Sequence, residues 1–145
     1  MTKNIIAKID LILHATEDFQ KISEPLNELF GIEKEEITKQ ELSGHFGNHI
    51  LMLHVMIKKK RAEQFIKKLV SLIPKYAMIE LLTSIEERIF DSSLYVRFSK
   101  QNFVKKTLML EEKDPIRITI YIPTYVKKEM PNAYRKLLNE DNDET

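Results

Sequence analysis

The chain has no cysteine and no tryptophan, and only three glycines and five prolines among 145 residues. It has almost no net charge, 23 Lys+Arg standing against 22 Asp+Glu. Without thiols there is no disulfide framework, no thiolate metal site and no cysteine nucleophile. Length supplies what cross-links otherwise would, because a chain of this size withdraws roughly 68–70% of its unfolded surface from water. Scarce Gly and Pro leave no linker, and there is neither an internal repeat nor a low-complexity tract. The expectation is one domain over residues 1–138, with an acidic tail over 139–145 expected to be disordered. Long apolar runs are also missing: the longest, Ile50 to Ile57, is interrupted by His54 and falls far short of the ~20 residues that span a bilayer. The opening MTKNIIAKIDLIL sets Lys8 and Asp10 inside its apolar stretch and offers no small-residue cleavage site, so a cytoplasmic protein is expected rather than an exported one.

Catalytic signatures are absent too. No Gly-x-x-x-x-Gly-Lys-Ser/Thr, Gly-x-Gly-x-x-Gly or Gly-x-Ser-x-Gly string occurs, which excludes the common phosphate-cradling and nucleophile-presenting loops. The paired carboxylates Glu35-Glu36, Glu86-Glu87 and Glu111-Glu112 fall on expected edges or polar faces, where solvation explains them. His14, His45, His49 and His54 could in principle gather around a metal, as in a metal-assisted hydrolase, but the pattern does not favour it. His45 and His49 have the i, i+4 spacing of a helical zinc pair, but they lie in a Gly-containing connection and no Glu follows His45. No enzyme activity, catalytic residue, metal or other cofactor is therefore expected.

What the chain does have is segregated charge. Residues 1–57 carry five basic and nine acidic groups, a net of −4, whereas residues 58–138 carry eighteen basic and nine acidic, a net of +9. The tail contributes −4. A field of one sign over half a molecule attracts polyanions even when the whole is nearly neutral. A highly charged, very soluble surface is the plain alternative.

Periodicity gives the elements. Alternation from Ile5 to Leu13 predicts a strand, and Phe19, Ile22, Leu26, Leu29 and Phe30 predict a helix capped at Thr16, stopped at Gly31 and kinked or split at Pro25. Weak alternation over Ile37 to Leu42 predicts a second strand, joined through Ser43 to His49 to a stronger one at Ile50 to Ile57. Lys58-Lys59-Lys60-Arg61 leads into a helix with the stripe Phe65, Ile66, Leu69, Leu72 and Ile73, ended by Pro74. A third helix buries Met78, Leu81, Leu82, Ile85 and Ile89. Strands follow at Leu94 to Phe98, over Thr107 to Leu110 and from Ile116 to Ile122, the last with Arg117, Thr119 and Tyr121 outward. A helix over about Lys127 to Leu138 closes the domain. Half-buried strands and stripe-faced helices together predict an α+β fold of two layers, an antiparallel or mixed sheet with helices packed on one face.

Three places could hold a polyanion. The loop Gly44-His45-Phe46-Gly47-Asn48 permits positive φ and close backbone approach, with His45 and Asn48 as donors; a bulge with Phe46 in the core is the alternative. Lys58, Lys59, Lys60 and Arg61, continued by Lys67 and Lys68, stand at a helix N-terminus that phosphate favours; a solvated helix entrance is the alternative. The uncovered sheet face would present Lys8, Asp10, His14, His54, Tyr95, Arg97, Arg117 and Tyr121. Rings and guanidinium planes such as Tyr95, Arg97, Arg117 and Tyr121 are what single-stranded RNA stacks on, although polar residues are also the ordinary occupants of a wet sheet face.

Taken together, His14-Ala15-Thr16-Glu17-Asp18, Gly44-His45-Phe46-Gly47-Asn48, the Lys58 to Arg61 cluster and Leu94-Tyr95-Val96-Arg97-Phe98-Ser99-Lys100-Gln101 resemble an archaeal family described as exosome-associated RNA-binding proteins. The likeness runs from about Ile5 to Leu138. It implies a fold similar to the 5S-RNA-binding large-subunit ribosomal protein, α+β with helices packed on one face of a curved, mainly antiparallel sheet, and a role as an accessory of RNA processing or ribosome assembly, with RNA and other proteins as partners. The family's glycine string is commonly followed by Pro, where this chain has His49. A protein-interaction subunit that meets RNA only through partners is the second function compatible with the sequence, its acidic parts docking a basic surface.

Overall fold

In a computed structural model of the chain, residues 4–43, 49–123 and 127–139 are described. Alternation decides the long strands. β1 (Ile6–Leu13) buries Ala7, Ile9, Leu11 and Leu13, while the residues between them stay half-exposed. After β2 (Thr38–Ser43), β3 (His49–Lys58) buries Leu53, Val55 and Ile57 in the same way. β4 is the two-residue strand Ile89–Phe90. β5 (Ser93–Ser99) buries Leu94, Val96 and Phe98, and β6 (Pro115–Tyr121) buries Ile116, Ile118 and Ile120. These six form one open antiparallel sheet in the order β2-β3-β1-β6-β5-β4. The register of β2 on β3 sets Thr38 opposite His54 and Gln40 opposite Met52. β-Branched Ile and Val supply most of the buried positions, as a pleated, half-covered surface favours.

Five helices cover the buried face: α1 (Phe19–Phe30), α2 (Lys59–Leu72), α3 (Lys75–Thr83), α4 (Lys100–Val104) and α5 (Met130–Asn139). The expected α+β sheet-and-helix class is thus the observed one. Among the described residues no helix is long and apolar enough to cross a membrane.

Contacts gather the chain into two compact units. The first comprises Met1–Ala7, Ile57–Val96 and Thr119–Thr145. Its core is the α2 stripe Ala62, Phe65, Ile66, Leu69 and Val70 with Ala77, Met78 and Leu81 of α3 and Met130, Tyr134 and Leu138 of α5. α5 packs on α2 and on the short turn Ile85–Arg88. Tyr134 is fully buried, and its hydroxyl lies 2.8 Å from Ser92 O, 3.0 Å from Ile120 O and 3.3 Å from the Ile122 N–H. The second unit comprises Lys8–Met56 and Arg97–Ile118. There α1 packs on α4, Phe30 stacking on Phe103 with centroids 6.5 Å apart, and Ile22, Leu26 and Ile32 are buried beneath.

Local chemistry shifts several boundaries. The N-cap of α1 is Asp18, whose carboxylate accepts from the Gln20 N–H at 3.0 Å; Thr16 lies outside the helix. Pro25 sits inside α1 without splitting it, because its missing N–H removes one intrahelical bond while the surrounding turns stay packed. Gly31 ends the helix at φ 68°, its N–H donating to Asn27 O and that of Ile32 to Leu26 O. Ile89 belongs to β4 rather than to α3, which stops at Thr83. Thr119 is buried, breaking the outward run expected of β6. In place of a strand over Thr107 to Leu110 there is a single bridge, Phe98 to Leu110.

Candidate nucleic-acid interface

The strand β3 passes into α2 with no intervening loop. The change of direction falls on Lys59, which adopts φ 60° and donates its N–H to Ile5 O at 2.8 Å. Left-handed backbone at a lysine costs of order 1 kcal/mol, and it places the cationic run at the first turn of a helix. The N-cap residue, Lys58, makes no side-chain cap hydrogen bond. Lys58, Lys59, Lys60, Arg61, Lys67 and Lys68 are all exposed, against one carboxylate, Glu63, on the same helix. Lys60, Lys67 and Lys68 share the polar face opposite Phe65, Ile66 and Leu69, as their spacing of seven and eight residues requires. Among the described residues no ion pair engages Lys58, Lys59, Lys60, Lys67 or Lys68. Ammonium groups beside the first turn of a helix form an anion-attracting surface.

In the same unit Tyr95 and Tyr121 take half-exposed positions on β5 and β6, next to buried Leu94, Val96 and Ile120. Each is a partly accessible aromatic side chain on a strand.

The second unit holds the remaining sheet-face residues. Asp10, its side chain 16% exposed, lies 2.6 Å from His54 Nδ1 and 3.5 Å from an Arg117 guanidinium nitrogen. These three residues come from β1, β3 and β6. Beside them Ile12, Met52, Arg97, Pro115, Asp114 and Arg117 help line a depression of about 270 Å³. Arg97 and Arg117 therefore share one concave place, each on a strand and each next to buried apolar neighbours.

A second polar cluster in this unit centres on Lys100, only 3% exposed. Its ammonium donates to Ile12 O at 2.5 Å, to Glu17 Oε1 at 2.9 Å and to the Asp114 carboxylate at 3.0 Å. His14 Nε2 stands 3.1 Å from Asp114 Oδ1, and the His14 N–H donates to Glu17 at 2.8 Å. Partial burial alone would push the Asp114 carboxyl up, but hydrogen bonds from Lys100 and His14 and the charge on both outweigh it, holding the carboxyl below its ordinary value. His14, Glu17 and Asp114 present donor atoms within 4.8 Å of one another, spacing that suits a cation. The lysine ammonium already supplies that cation. His14 and His54 each face their own carboxylate and do not converge.

Of the expected site residues, Gly44, His45, Gly47 and Asn48 lie outside the described residues. The Lys58 to Lys68 set, Tyr95 and Tyr121 fall in the first unit, and Arg97 and Arg117 fall in the second. Periodicity could not reveal Lys100, Glu17, Asp114 and the Asp10–His54 pair as clusters, because their members are 44 to 100 residues apart or meet across a turn.

A family model described as RNA binding matches residues 7–122. RNA-binding protein PAB1135 of Pyrococcus abyssi is 32% identical over 133 residues, covering 84% of this chain and 84% of that protein. Two solved structures of DUF54 proteins share the fold. The AF2318 protein of Archaeoglobus fulgidus superposes with a TM-score of 0.79 at 29% identity, covering 93% of this chain and 99% of that one. The SSO0741 protein of Sulfolobus solfataricus gives 0.78 at 28% identity, covering 97% and 99%.

Proposed function

The chain belongs to this RNA-binding family, and from that premise we propose that it is an RNA-binding module that performs no chemistry on its ligand and serves as an accessory in RNA processing, as in exosome-linked turnover, or in ribosome assembly, beside protein partners. The observation that carries the proposal is the exposed cation set at the β3–α2 junction and along α2: six basic side chains within eleven residues, set against a single carboxylate, where the N-cap residue Lys58 makes no side-chain cap bond. Phosphates gain from both the side chains and the amide dipoles there, and release of condensed counterions supplies the affinity. Tyr95 and Tyr121 add ring faces for bases, at about 1–3 kcal/mol for each base stacked.

Titration of RNA with the full-length protein at several salt concentrations tests it. The Lys58→Glu, Lys60→Glu double variant is expected to weaken binding and to flatten the slope of log affinity against log salt by about one for each lost phosphate contact. Unchanged affinity and slope would remove α2 from the interface. Partners that stay bound after nuclease treatment, together with no RNA binding by the isolated protein, would favour a protein-docking role instead.

A further inference from the structure

The depression in the second unit differs in character from the cationic helix. Its apolar lining comes from Ile12, Met52 and Pro115, and its charged lining from Arg97, Arg117, Asp10 and Asp114. Two guanidinium groups and two carboxylates leave the place close to neutral. Arg117 spends part of its charge on Asp10, 3.5 Å away, and Asp10 is further held at 2.6 Å by His54. A phosphate entering here would meet two carboxylates as well as two guanidinium groups, so the place lacks the excess positive charge that the lysines of α2 supply. It suits a neutral, flat occupant. Half-exposed Ile12, Met52 and Pro115 gain by covering such a ring, and a thioether makes favourable contacts with aromatic edges. Guanidinium planes stack on bases, and the remaining carboxylate lone pairs accept from exocyclic amino groups.

We propose that this depression, lined by Asp10, Ile12, Met52, Arg97, Pro115 and Arg117, is a pocket for one unpaired nucleobase of single-stranded RNA. The proposal rests on the RNA-binding reading above and adds the strandedness of the ligand. A base within an A-form duplex has both faces covered by stacking and its pairing edge occupied, so it cannot enter. A base in a loop or a free strand can.

The test compares one labelled oligoribonucleotide, single-stranded or annealed to its complement, in anisotropy titrations with the full-length protein. The expected result is tighter binding of the single strand, by about tenfold, the equivalent of one stacked base. Met52→Glu, which adds a carboxylate to the apolar wall at a half-exposed position, should abolish that preference while leaving duplex affinity and the salt slope unchanged; Met52→Leu should keep it. Arg97→Ala gives the same reading if Met52→Glu does not fold. Equal binding of both forms by the native protein, or a preference that survives both variants, overturns the pocket and leaves RNA binding standing. Failure of the native protein to bind either form overturns both proposals.

Discussion

At the scale of single residues the chain's most consequential side chain is one that its sequence hides. Lys100 follows a strand in the string Val96-Arg97-Phe98-Ser99-Lys100, where a lysine reads as a solvent-facing charge. Its burial arises because its partners arrive from elsewhere: Ile12 and Glu17 are 88 and 83 residues away in sequence. Lys100→Met keeps the hydrophobic stem and removes the ammonium, leaving Ile12 O without its donor and two carboxylates without their cation. The loss of stability is expected to be about 2 kcal/mol, less than for a fully enclosed pair, since Glu17 is 32% and Asp114 48% exposed. Urea denaturation at neutral pH measures it. The same variant should alter the acid limb. A carboxyl that ionises more readily folded than unfolded adds stability above the unfolded value, near 3.8 for Asp114. That stability drains away as pH falls toward the lower folded value. With the largest lowering partner gone, stability should depend less steeply on pH below about 4 in Lys100→Met than in the native protein.

Elements were mostly legible, for reasons particular to each. β1, β3, β5 and β6 alternate because one face is covered and the other is wet, and α2 shows its stripe because it lies on a core. Failures came where local chemistry competed with pattern. Thr16 and Asp18 are both good caps, and the carboxylate won by reaching the Gln20 N–H. Ile89 continued the apolar spacing of α3 although Ser84 had already ended the helix. Docking of α5 could not be read at all, since it depends on the Tyr134 hydroxyl meeting Ser92 O, Ile120 O and the Ile122 N–H. Tyr134→Phe leaves those backbone groups unsatisfied in a buried place, at a cost of about 1–3 kcal/mol. Burial pushes the phenol up to about 12, against 10.0 in the unfolded chain. Below pH 10 the unionised hydroxyl contributes in full; from there toward 12 the unfolded state sheds its proton first and that contribution is lost. Thermal melts of the native protein should therefore drop more steeply across pH 10 to 12 than melts of Tyr134→Phe.

At the scale of the whole chain, the division of charge is legible in the sequence itself: −4 over residues 1–57 and +9 over 58–138. The α2 cations could be seen because they are consecutive in sequence and the helix keeps them together. The depression could not, because residues 10, 12, 52, 97, 115 and 117 become neighbours only when β3, β1, β6 and β5 line up in that order. Family membership supports RNA as the ligand, and the cations of Lys58 to Lys68 with the depression are the proposed places of contact. Ultraviolet crosslinking of the full-length protein to RNA, with mass-spectrometric identification of the adducted peptides, tests that account most directly. The expected adducts lie on peptides from Lys58 to Lys68 and on the strand peptides that contain Met52, Tyr95, Arg97 or Tyr121. Adducts confined to the acidic surface of α1 and its following turn, Glu24 to Glu36, or none from either expected region despite measurable binding, would contradict it.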